Sequence, residues 1–243
     1  MAGYIFLEGG AEFGGQMADP DLRAITLAGG FNAPISVIPA AAAPDNNHQR
    51  AGHNALAWFK KLGAIDVTIL PLIDRASANQ PSIAKQLQSS RLIYLLGGFP
   101  HYLAQTISAS LCWQAMLIAY RSGAIIGGSS AGAMVLCRYY FDPDRGRVYE
   151  GLNLLPNTCV IPHHNTFGKS WSTKLTSLLP TQVLIGIDEE TGMIDDGINH
   201  ETDPDLPRLD ALWSIYGKGV VTLYRYGQIS TNKPGTQFTI LPH

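Results

Sequence analysis

The segment whose residues are best suited to catalysis is a serine between closely spaced glycines. Gly128, Ser130 and Gly132 form the pattern G-x-S-x-G, and apolar stretches precede and follow it. This context is typical of a nucleophile elbow, a tight strand-to-helix turn that lifts a serine hydroxyl above the edge of a sheet. The new helix would also point its first N–H groups at the site, which suits an oxyanion. The pattern therefore predicts a nucleophile at Ser130.

A serine nucleophile needs a base, and two adjacent histidines lie in a suitable place. His163 and His164 follow the strand-like run 158–161 and precede a predicted helix. In an open parallel sheet, ligands bind at the carboxyl ends of the strands. Because Ser130 is expected at the same edge, either histidine could take its proton.

A third group must orient the imidazole, and carboxylates follow another strand-like run. Residues 185–187 end in Asp188, Glu189 and Glu190. Three strand ends thus supply a serine, a histidine and an acid, which is the set of groups that a catalytic triad requires. The residues alone leave the choice among the three carboxylates open.

The alternative hypothesis is a small-ligand-binding domain without catalysis. Its glycine-rich turns at Gly9-Gly10, Gly97-Gly98 and Gly127-Gly128 would hold an acidic ligand. Such a domain needs no histidine and no carboxylate aimed at Ser130, so their approach to that hydroxyl discriminates between the two hypotheses. No metal or cofactor is predicted, because the histidines and cysteines lack ligand spacing.

The elements that must position these residues follow a β-α-β-α alternation. The apolar runs are nearly continuous, as in strands that are buried on both faces of a parallel sheet. They cover residues 4–7, 35–38, 66–70, 92–96, 124–126, 160–161, 183–187 and 220–224. Helices are predicted between them over residues 49–62, 102–110, 113–120 and 170–179.

This alternation predicts an α/β fold, a three-layer α/β/α sandwich with a mostly parallel central sheet. Glycine and proline punctuate short strands in the tail, 212–240, which predicts antiparallel hairpins there. We expect residues 1–243 to form a single domain.

Composition excludes several function classes. The 243 residues are 46% hydrophobic and only 15% charged, which excludes a disordered chain. A formal charge of −2 offers no basic excess for phosphate contacts, so nucleic acid is not an expected partner. No apolar run approaches the roughly 18 residues of a membrane span. The odd number of cysteines, all in apolar surroundings, favours a reducing compartment, and we expect a cytoplasmic protein.

Two polar segments are open to two interpretations each. The acidic stretch 195–207 reads as a solvated loop, or as a loop that faces a cation or a basic substrate. The turn-rich stretch 142–147 lies between Ser130 and the histidines, and it reads as a lid over the site or as a solvated hairpin.

Six segments together carry a family resemblance. They are Leu7–Gly10, Ile38–Ala42, Tyr94–Gly98, Gly127–Leu136, Gly151–Pro156 and Ile185–Thr191. In combination they resemble peptidase family S51, which contains cyanophycinases and aspartyl dipeptidase (dipeptidase E). The resemblance covers essentially the whole chain and implies a fold similar to that of class I glutamine amidotransferases. Those enzymes use a cysteine at the elbow, where this chain has Ser130.

The resemblance implies a role for each of the candidate residues. Ser130 is similar to the nucleophile and Glu189 to the acid that orients the base. His163, which follows Pro162, is similar to the general base, with His164 as the alternative. The implied chemistry is hydrolysis of a peptide or amide bond through an acyl-enzyme, without a cofactor.

The backbone N–H groups of Ala131 and Gly98 are the implied oxyanion donors. The implied partner is a small peptide or peptide-like substrate. Related folds often dimerise, so a homodimer is compatible with the resemblance.

Two segments depart from the family pattern and imply a different substrate from cyanophycin or simple aspartyl dipeptides. Phe99-Pro100 stands where the peptidases usually carry an amide side chain. Lys169 supplies the positive charge in a stretch that is arginine-rich in cyanophycinases. We therefore name Phe99, Lys169 and His164 as candidate substrate-binding residues.

Overall fold

Two mixed β-sheets organise the part of the chain that the structure, a computed structural model, describes: residues 3–197 and 211–240. The strands are β1 (Tyr4–Glu8), β2 (Ile35–Ile38), β3 (Val67–Ile69), β4 (Leu92–Leu95), β5 (Ile125–Ser129), β6 (Cys137–Asp142), β7 (Arg147–Glu150), β8 (Leu155–Ile161), β9 (Val183–Ile187), β10 (Thr191–Ile194), β11 (Leu212–Gly217), β12 (Val221–Arg225), β13 (Gln228–Asn232) and β14 (Gln237–Thr239). The helices are α1 (Ala18–Leu27), α2 (His48–Lys61), α3 (Pro81–Ser89), α4 (Pro100–Ile107), α5 (Leu111–Arg121), α6 (Ala131–Leu136) and α7 (Ser172–Leu178).

The first sheet has the order β14-β11-β10-β1-β5-β4-β2-β3. Its five strands β1, β5, β4, β2 and β3 run parallel, as the continuous apolar runs predicted. Strands β10, β11 and β14 extend it with antiparallel pairing. The carboxyl ends of the parallel strands therefore meet at one edge, where β5 delivers Ser130.

The second sheet has the order β13-β12-β9-β8-β6-β7. Strands β6, β8 and β9 are parallel, and β7, β12 and β13 pair antiparallel at the edges. The α/β fold class is confirmed, but the strands that lead to the histidines and to the acids leave the central sheet for this second one. An apolar run predicts a buried strand but does not show which strand pairs with it. The sequence analysis therefore predicted a single sheet.

The core lies on both faces of the first sheet. Side chains alternate along β1, so Phe6 points into one hydrophobic cluster while Ile5 and Leu7 point into another. Helices α1 and α2 cover the Phe6 face, and α2 does so with Ala55 and Phe59. The opposite cluster packs α3 and α5 on the first sheet and continues into the second.

Several elements of the structure differ in detail from those predicted. The tail hairpin is confirmed for β12 and β13, whereas β11 and β14 join the first sheet. Helices α1 and α3 and the strands β6 and β7 carry weaker patterns and were not predicted. The stretch 142–147 is the turn of the β6–β7 hairpin, largely exposed, which agrees with a solvated hairpin. Of the acidic stretch 195–207, residues 198–207 lie outside the described part of the chain.

Among residues 3–197 and 211–240, no helix combines the length and the apolar character that crossing a bilayer requires.

The packing of α6 on β4 depends on a glycine in the helix. A Cβ at Gly132 would overlap the backbone carbonyl oxygen of Leu95, whereas a Cβ at Gly14 would meet no atom within 4 Å. Helix propensity alone would make Gly132→Ala stabilising by about 1 kcal/mol. We expect it instead to lower the free energy of unfolding by about 2–3 kcal/mol, because backbone must move to relieve the overlap. Urea unfolding tests this, with Gly14→Ala as the matched glycine control; equal stability of the two variants would contradict it.

Candidate active site

Ser130 occupies a strained turn between β5 and α6. Its backbone has φ 48° and ψ −111°, a conformation that costs free energy for a non-glycine residue. The Ser130 N–H donates to the Glu8 carbonyl oxygen at 3.1 Å, which fixes the turn to the end of β1. A Cβ at Gly128 would lie 2.7 Å from the Gly132 carbonyl carbon, so the turn admits no side chain there. This is the strand-to-helix elbow that the G-x-S-x-G pattern predicted.

The His163 ring lies between Ser130 and Glu189. Its Nε2 is 3.0 Å from Ser130 Oγ, and its Nδ1 is 2.8 Å from Glu189 Oε1. Both distances are within the range that proton transfer and imidazole orientation require. The ring fits because Gly10 has no side chain: a Cβ there would overlap the ring carbon Cε1 and lie 2.7 Å from each ring nitrogen.

Glu189 is held in place by residues that the sequence did not single out. Its backbone N–H donates to Asn165 Oδ1 at 2.9 Å, and its Oε1 accepts from Thr166 Oγ1 at 3.3 Å. Phe167 stacks on the His163 ring with 4.7 Å between the ring centroids. These three residues form the turn directly after the histidines, so their nearness to the site follows from chain connectivity.

The side chains of Asp188 and Glu190, on either side of Glu189, contact residues other than His163. Asp188 Oδ2 accepts from the Val220 N–H at 3.0 Å, and Glu190 Oε1 contacts Lys218 Nζ at 3.4 Å. Of the three carboxylates that end β9, Glu189 is thus the one that the structure brings to His163.

His164 points away from Ser130. Its Nε2 is 2.8 Å from the Tyr224 hydroxyl and its Nδ1 is 3.4 Å from Asp188 Oδ1. Burial lowers the pKa of His164, which favours the neutral ring. Because the two adjacent side chains point in opposite directions, His163 is the histidine that lies next to Ser130.

A cavity of about 610 Å³ opens above Ser130 and His163. Its other lining residues come from the loops after β1, β2 and β4 and from α2: Glu12, Phe13, Ala42, Asp45, Asn47, Arg50, Ala51, Asn54, Gly97 and Gly98. Three other surface cavities of the described residues, of about 520, 410 and 590 Å³, contain neither Ser130 nor His163. This cavity is therefore where a substrate of the serine would lie.

The predicted substrate-binding residues lie outside this lining set. Phe99 lines a neighbouring cavity with His101 and Asp142, and Lys169 lines another cavity with Tyr224. His164 is buried beside Tyr224. The structure gives these three predicted residues no direct place around Ser130.

The predicted oxyanion donors lie beside the nucleophile. Ala131 begins α6, where the first N–H groups have no acceptor within the helix. Gly98 lines the cavity with Ser130 and has φ 138°; a Cβ there would overlap the Ala41 carbonyl oxygen. The Phe99 N–H donates to that same oxygen at 2.8 Å, which fixes the Gly97–Gly98 turn.

A pair of buried carboxyl groups lies beneath the elbow. Glu8 and Asp21 are fully buried. Tyr94 donates its hydroxyl proton to Glu8 Oε2, and Trp58 Nε1 donates to Asp21 Oδ2 at 2.7 Å. The remaining oxygens, Glu8 Oε1 and Asp21 Oδ1, have no donor among the other described residues. Burial holds the pKa of Glu8 well above its usual range and raises the pKa of Asp21 to about 7. These raised pKa values favour the protonated, neutral form of both carboxyl groups.

Comparison with known proteins finds relatives of this chain in sequence and in fold. A model of peptidase family S51 matches residues 5–199. The cyanophycinase of Synechococcus elongatus is 27% identical over 235 residues, which cover 89% of this chain and 68% of that protein. The cyanophycinase of Geminocystis herdmanii is 25% identical over 207 residues, which cover 81% of this chain and 71% of that protein.

Two solved structures share the architecture. A peptidase from an acI-B1 Actinobacterium superposes with a TM-score of 0.81 at 27% identity, over 98% of this chain and 97% of that chain. A putative peptidase E protein from Listeria monocytogenes EGD-e superposes with a TM-score of 0.60 at 18% identity, over 80% of this chain and 94% of that chain. At this identity the similarity supports a shared fold and no more.

The buried acid pair predicts a pH dependence of stability. Because the pKa values of Glu8 and Asp21 are raised on folding, the native state keeps protons that the unfolded chain releases above about pH 4. Stability from this pair is thus present at low pH and falls as the pH rises through about 7, where Asp21 titrates. In Asp21→Asn a neutral amide replaces the carboxyl group that titrates, so Tm should fall less between pH 5 and pH 8 than in the wild type. Calorimetry at both pH values checks this, and parallel Tm profiles would contradict it.

Proposed function

The chain belongs to peptidase family S51 and is a serine hydrolase, and we propose that it cleaves a peptide or amide bond with Ser130, His163 and Glu189 through an acyl-enzyme. One observation carries the proposal: His163 contacts Ser130 Oγ through one ring nitrogen and Glu189 through the other. A binding domain has no need of this continuous connection from hydroxyl to carboxylate.

In the proposed mechanism, Ser130 Oγ attacks the substrate carbonyl while His163 Nε2 takes its proton. Glu189 accepts from Nδ1–H, which keeps the ring in the required tautomer and stabilises the imidazolium. The imidazolium then gives its proton to the leaving amine. Water, activated by the same histidine, cleaves the acyl-enzyme and restores the serine.

The tetrahedral oxyanion would lie between the N–H groups of Ala131 and Gly98. Both come from backbone that is fixed before substrate arrives, so no reorganisation is needed when charge develops. The position of Gly98 at the cavity wall next to Ser130 supports this assignment.

The triad also supports the proposal that residues 1–243 act as a single domain. Ser130 follows a strand of the first sheet, whereas His163 and Glu189 follow β8 and β9 of the second. Neither sheet alone holds the complete set of reacting groups.

The substrate we propose is a small peptide or peptide-like molecule. The relatives named cyanophycinase support a peptide-like substrate, while Phe99-Pro100 and the stretch around Lys169 depart from the pattern of those enzymes. The charged groups that line the cavity here are instead Glu12, Asp45 and Arg50.

We further propose that the protein works in a reducing compartment such as the cytoplasm. Cys112, Cys137 and Cys159 are free and buried, and burial raises the pKa of each thiol. A homodimer stays a prediction.

The nucleophile is tested by reaction with a fluorophosphonate probe, measured by intact mass. We expect one adduct on the wild type and none on Ser130→Ala, because only an activated serine reacts rapidly with the probe. The Ser129→Ala variant is the neighbouring control and should still carry the adduct. An adduct that survives in Ser130→Ala would assign the nucleophile to another serine.

The two adjacent histidines allow a matched test of the base. We expect His163→Gln to slow labelling by about a thousandfold or more, because the base next to Ser130 is lost. His164→Gln removes a contact with Tyr224 and should lower Tm while labelling stays within about tenfold of the wild type. A reversal of the two effects on labelling would overturn the assignment of His163.

A further inference from the structure

One face of the His163 ring is covered by an aromatic side chain that the proposed mechanism does not use. The rings of His163 and Phe167 are stacked, with 4.7 Å between their centroids and 25° between their planes. Phe167 is 54% exposed, so burial in the hydrophobic core does not account for its position. Its contact with a reacting group calls for an explanation in the reaction itself.

The backbone holds Phe167 in this position before any substrate binds. The His163 carbonyl oxygen accepts from the Gly168 N–H at 2.9 Å and from the Thr166 N–H at 3.0 Å, which closes a tight turn around Phe167. A Cβ at Gly168 would overlap the Pro162 carbonyl oxygen, so the closed turn admits no side chain there. The two stacked rings therefore belong to one short segment that is bonded to itself.

A second aromatic ring orients Phe167. Trp171 meets it edge to face, with 5.5 Å between the ring centroids. Trp171 in turn packs on the buried Phe141 of β6, with 5.2 Å between those centroids. Aromatic pairs of this kind contribute stability beyond the area that they bury. Contacts that reach the core of the second sheet thus keep the face of Phe167 on His163.

The stacked ring matters most when His163 is charged. As Ser130 Oγ forms its bond to the substrate carbonyl carbon, the hydroxyl proton moves to His163 Nε2 and the ring becomes an imidazolium. The face of an aromatic ring carries partial negative charge and attracts a cation within about 6 Å of its centroid. The neutral ring that accepts the proton lacks this charge, so the attraction grows on the way to the transition state and lowers the barrier.

Glu189 and Phe167 contact the same ring at different places. Glu189 Oε1 lies 2.8 Å from Nδ1, at the edge of the ring, whereas Phe167 lies over the face. The carboxylate accepts a hydrogen bond and fixes the tautomer. The aromatic face makes no hydrogen bond with the ring, so its effect is on the charge and on the tilt of the imidazole.

We propose that Phe167 is a positioning residue for His163, which keeps the imidazole in line with Ser130 and stabilises the imidazolium through a cation–π contact. The inference rests on the proposed function. It adds a fourth side chain to the three that determine the rate of acylation, and this side chain acts through the base without touching the substrate carbonyl.

The test measures the rate of fluorophosphonate labelling of the full chain. In that reaction Ser130 Oγ bonds to phosphorus, fluoride leaves and His163 takes the proton, so the rate reports on the base without any peptide to recognise. Position 167 receives phenylalanine with one, two or three ring fluorines. Each fluorine withdraws electron density from the ring face with little change in shape. Labelling should slow at each step, by about three- to tenfold in total for three fluorines.

Natural substitutions give a coarser version of the same test. Phe167→Leu keeps an apolar side chain but removes the aromatic face, and it should label about three- to thirtyfold more slowly than the wild type. Phe167→Trp restores an aromatic face and should label within about threefold of the wild type. Phe31→Leu is the matched control, because Phe31 is 50% exposed and lies in the loop before β2, and its labelling should be unchanged.

The pH profile of labelling separates the cation–π contact from a purely steric role. A weaker attraction disfavours the protonated ring, so the midpoint of the acidic limb should move to lower pH in Phe167→Leu while the plateau rate falls. A fall of the plateau with an unmoved midpoint would overturn the cation–π contact. The charged groups around the ring stay the same in every variant: Glu189 at Nδ1, Glu12, Asp45 and Arg50 in the cavity, and Lys169 two residues after Phe167.

The labelling experiment distinguishes failure of this inference from failure of the proposed function. A labelled wild type with equal rates across the fluorinated series would overturn the role of Phe167 and leave the triad in place. Equal rates for Phe167→Leu and Phe167→Trp would lead to the same conclusion. Absence of labelling in the wild type would overturn the proposed function and this inference with it.

Discussion

The arrangement of the site depends on a short stretch of backbone, Gly9-Gly10, that bonds the first sheet to the second. The His163 N–H donates to the Gly9 carbonyl at 2.7 Å, the Glu190 N–H donates to the Gly10 carbonyl at 3.1 Å, and the Gly9 N–H donates to Thr191 at 3.0 Å. Residues 9 and 10 directly follow β1, which pairs with the strand that ends before Ser130. The bonds from His163 and Glu190 therefore set the distance from His163 and Glu189 to Ser130, whereas the bond to Thr191 joins β1 to β10 within the first sheet.

The contact of residues 9 and 10 with the His163 and Glu190 segments requires glycine at both positions. A Cβ at Gly9 would overlap the Asp188 carbonyl, and one at Gly10 would overlap the His163 ring. Backbone at His163 and Glu190 is also in the left-handed region, with φ of 50° and 54°. Such conformations are costly for non-glycine residues and persist where surrounding contacts over-determine them. The bonds to residues 9 and 10 supply that constraint on the second-sheet side of the site.

Much of the site could be predicted because its signals are local in sequence. The elbow at Ser130 needs small neighbours, and the histidine and acid directly follow apolar strands. The residues alone left the choice between His163 and His164 open, because the directions of adjacent side chains after a strand depend on backbone dihedral angles that tertiary contacts impose. Only the family resemblance favoured His163. Glu12 carried no signal of its own: its nearness to Ser130 arises from the pairing of β1 with β5, which are more than a hundred residues apart. The second sheet escaped prediction for the same reason, since strand partners are non-local.

The lining of the cavity comes mostly from the first sheet. Of its described lining residues, His163 alone follows a strand of the second sheet, while the rest lie on loops and a helix attached to the first. Substitutions at Asp45, Arg50 or Asn54 can therefore reshape the cavity without changing the strand ends that carry Ser130, His163 and Glu189. Such a scaffold is evolvable, because the loops that shape the cavity can change by drift while the strand ends at Ser130, His163 and Glu189 stay in place.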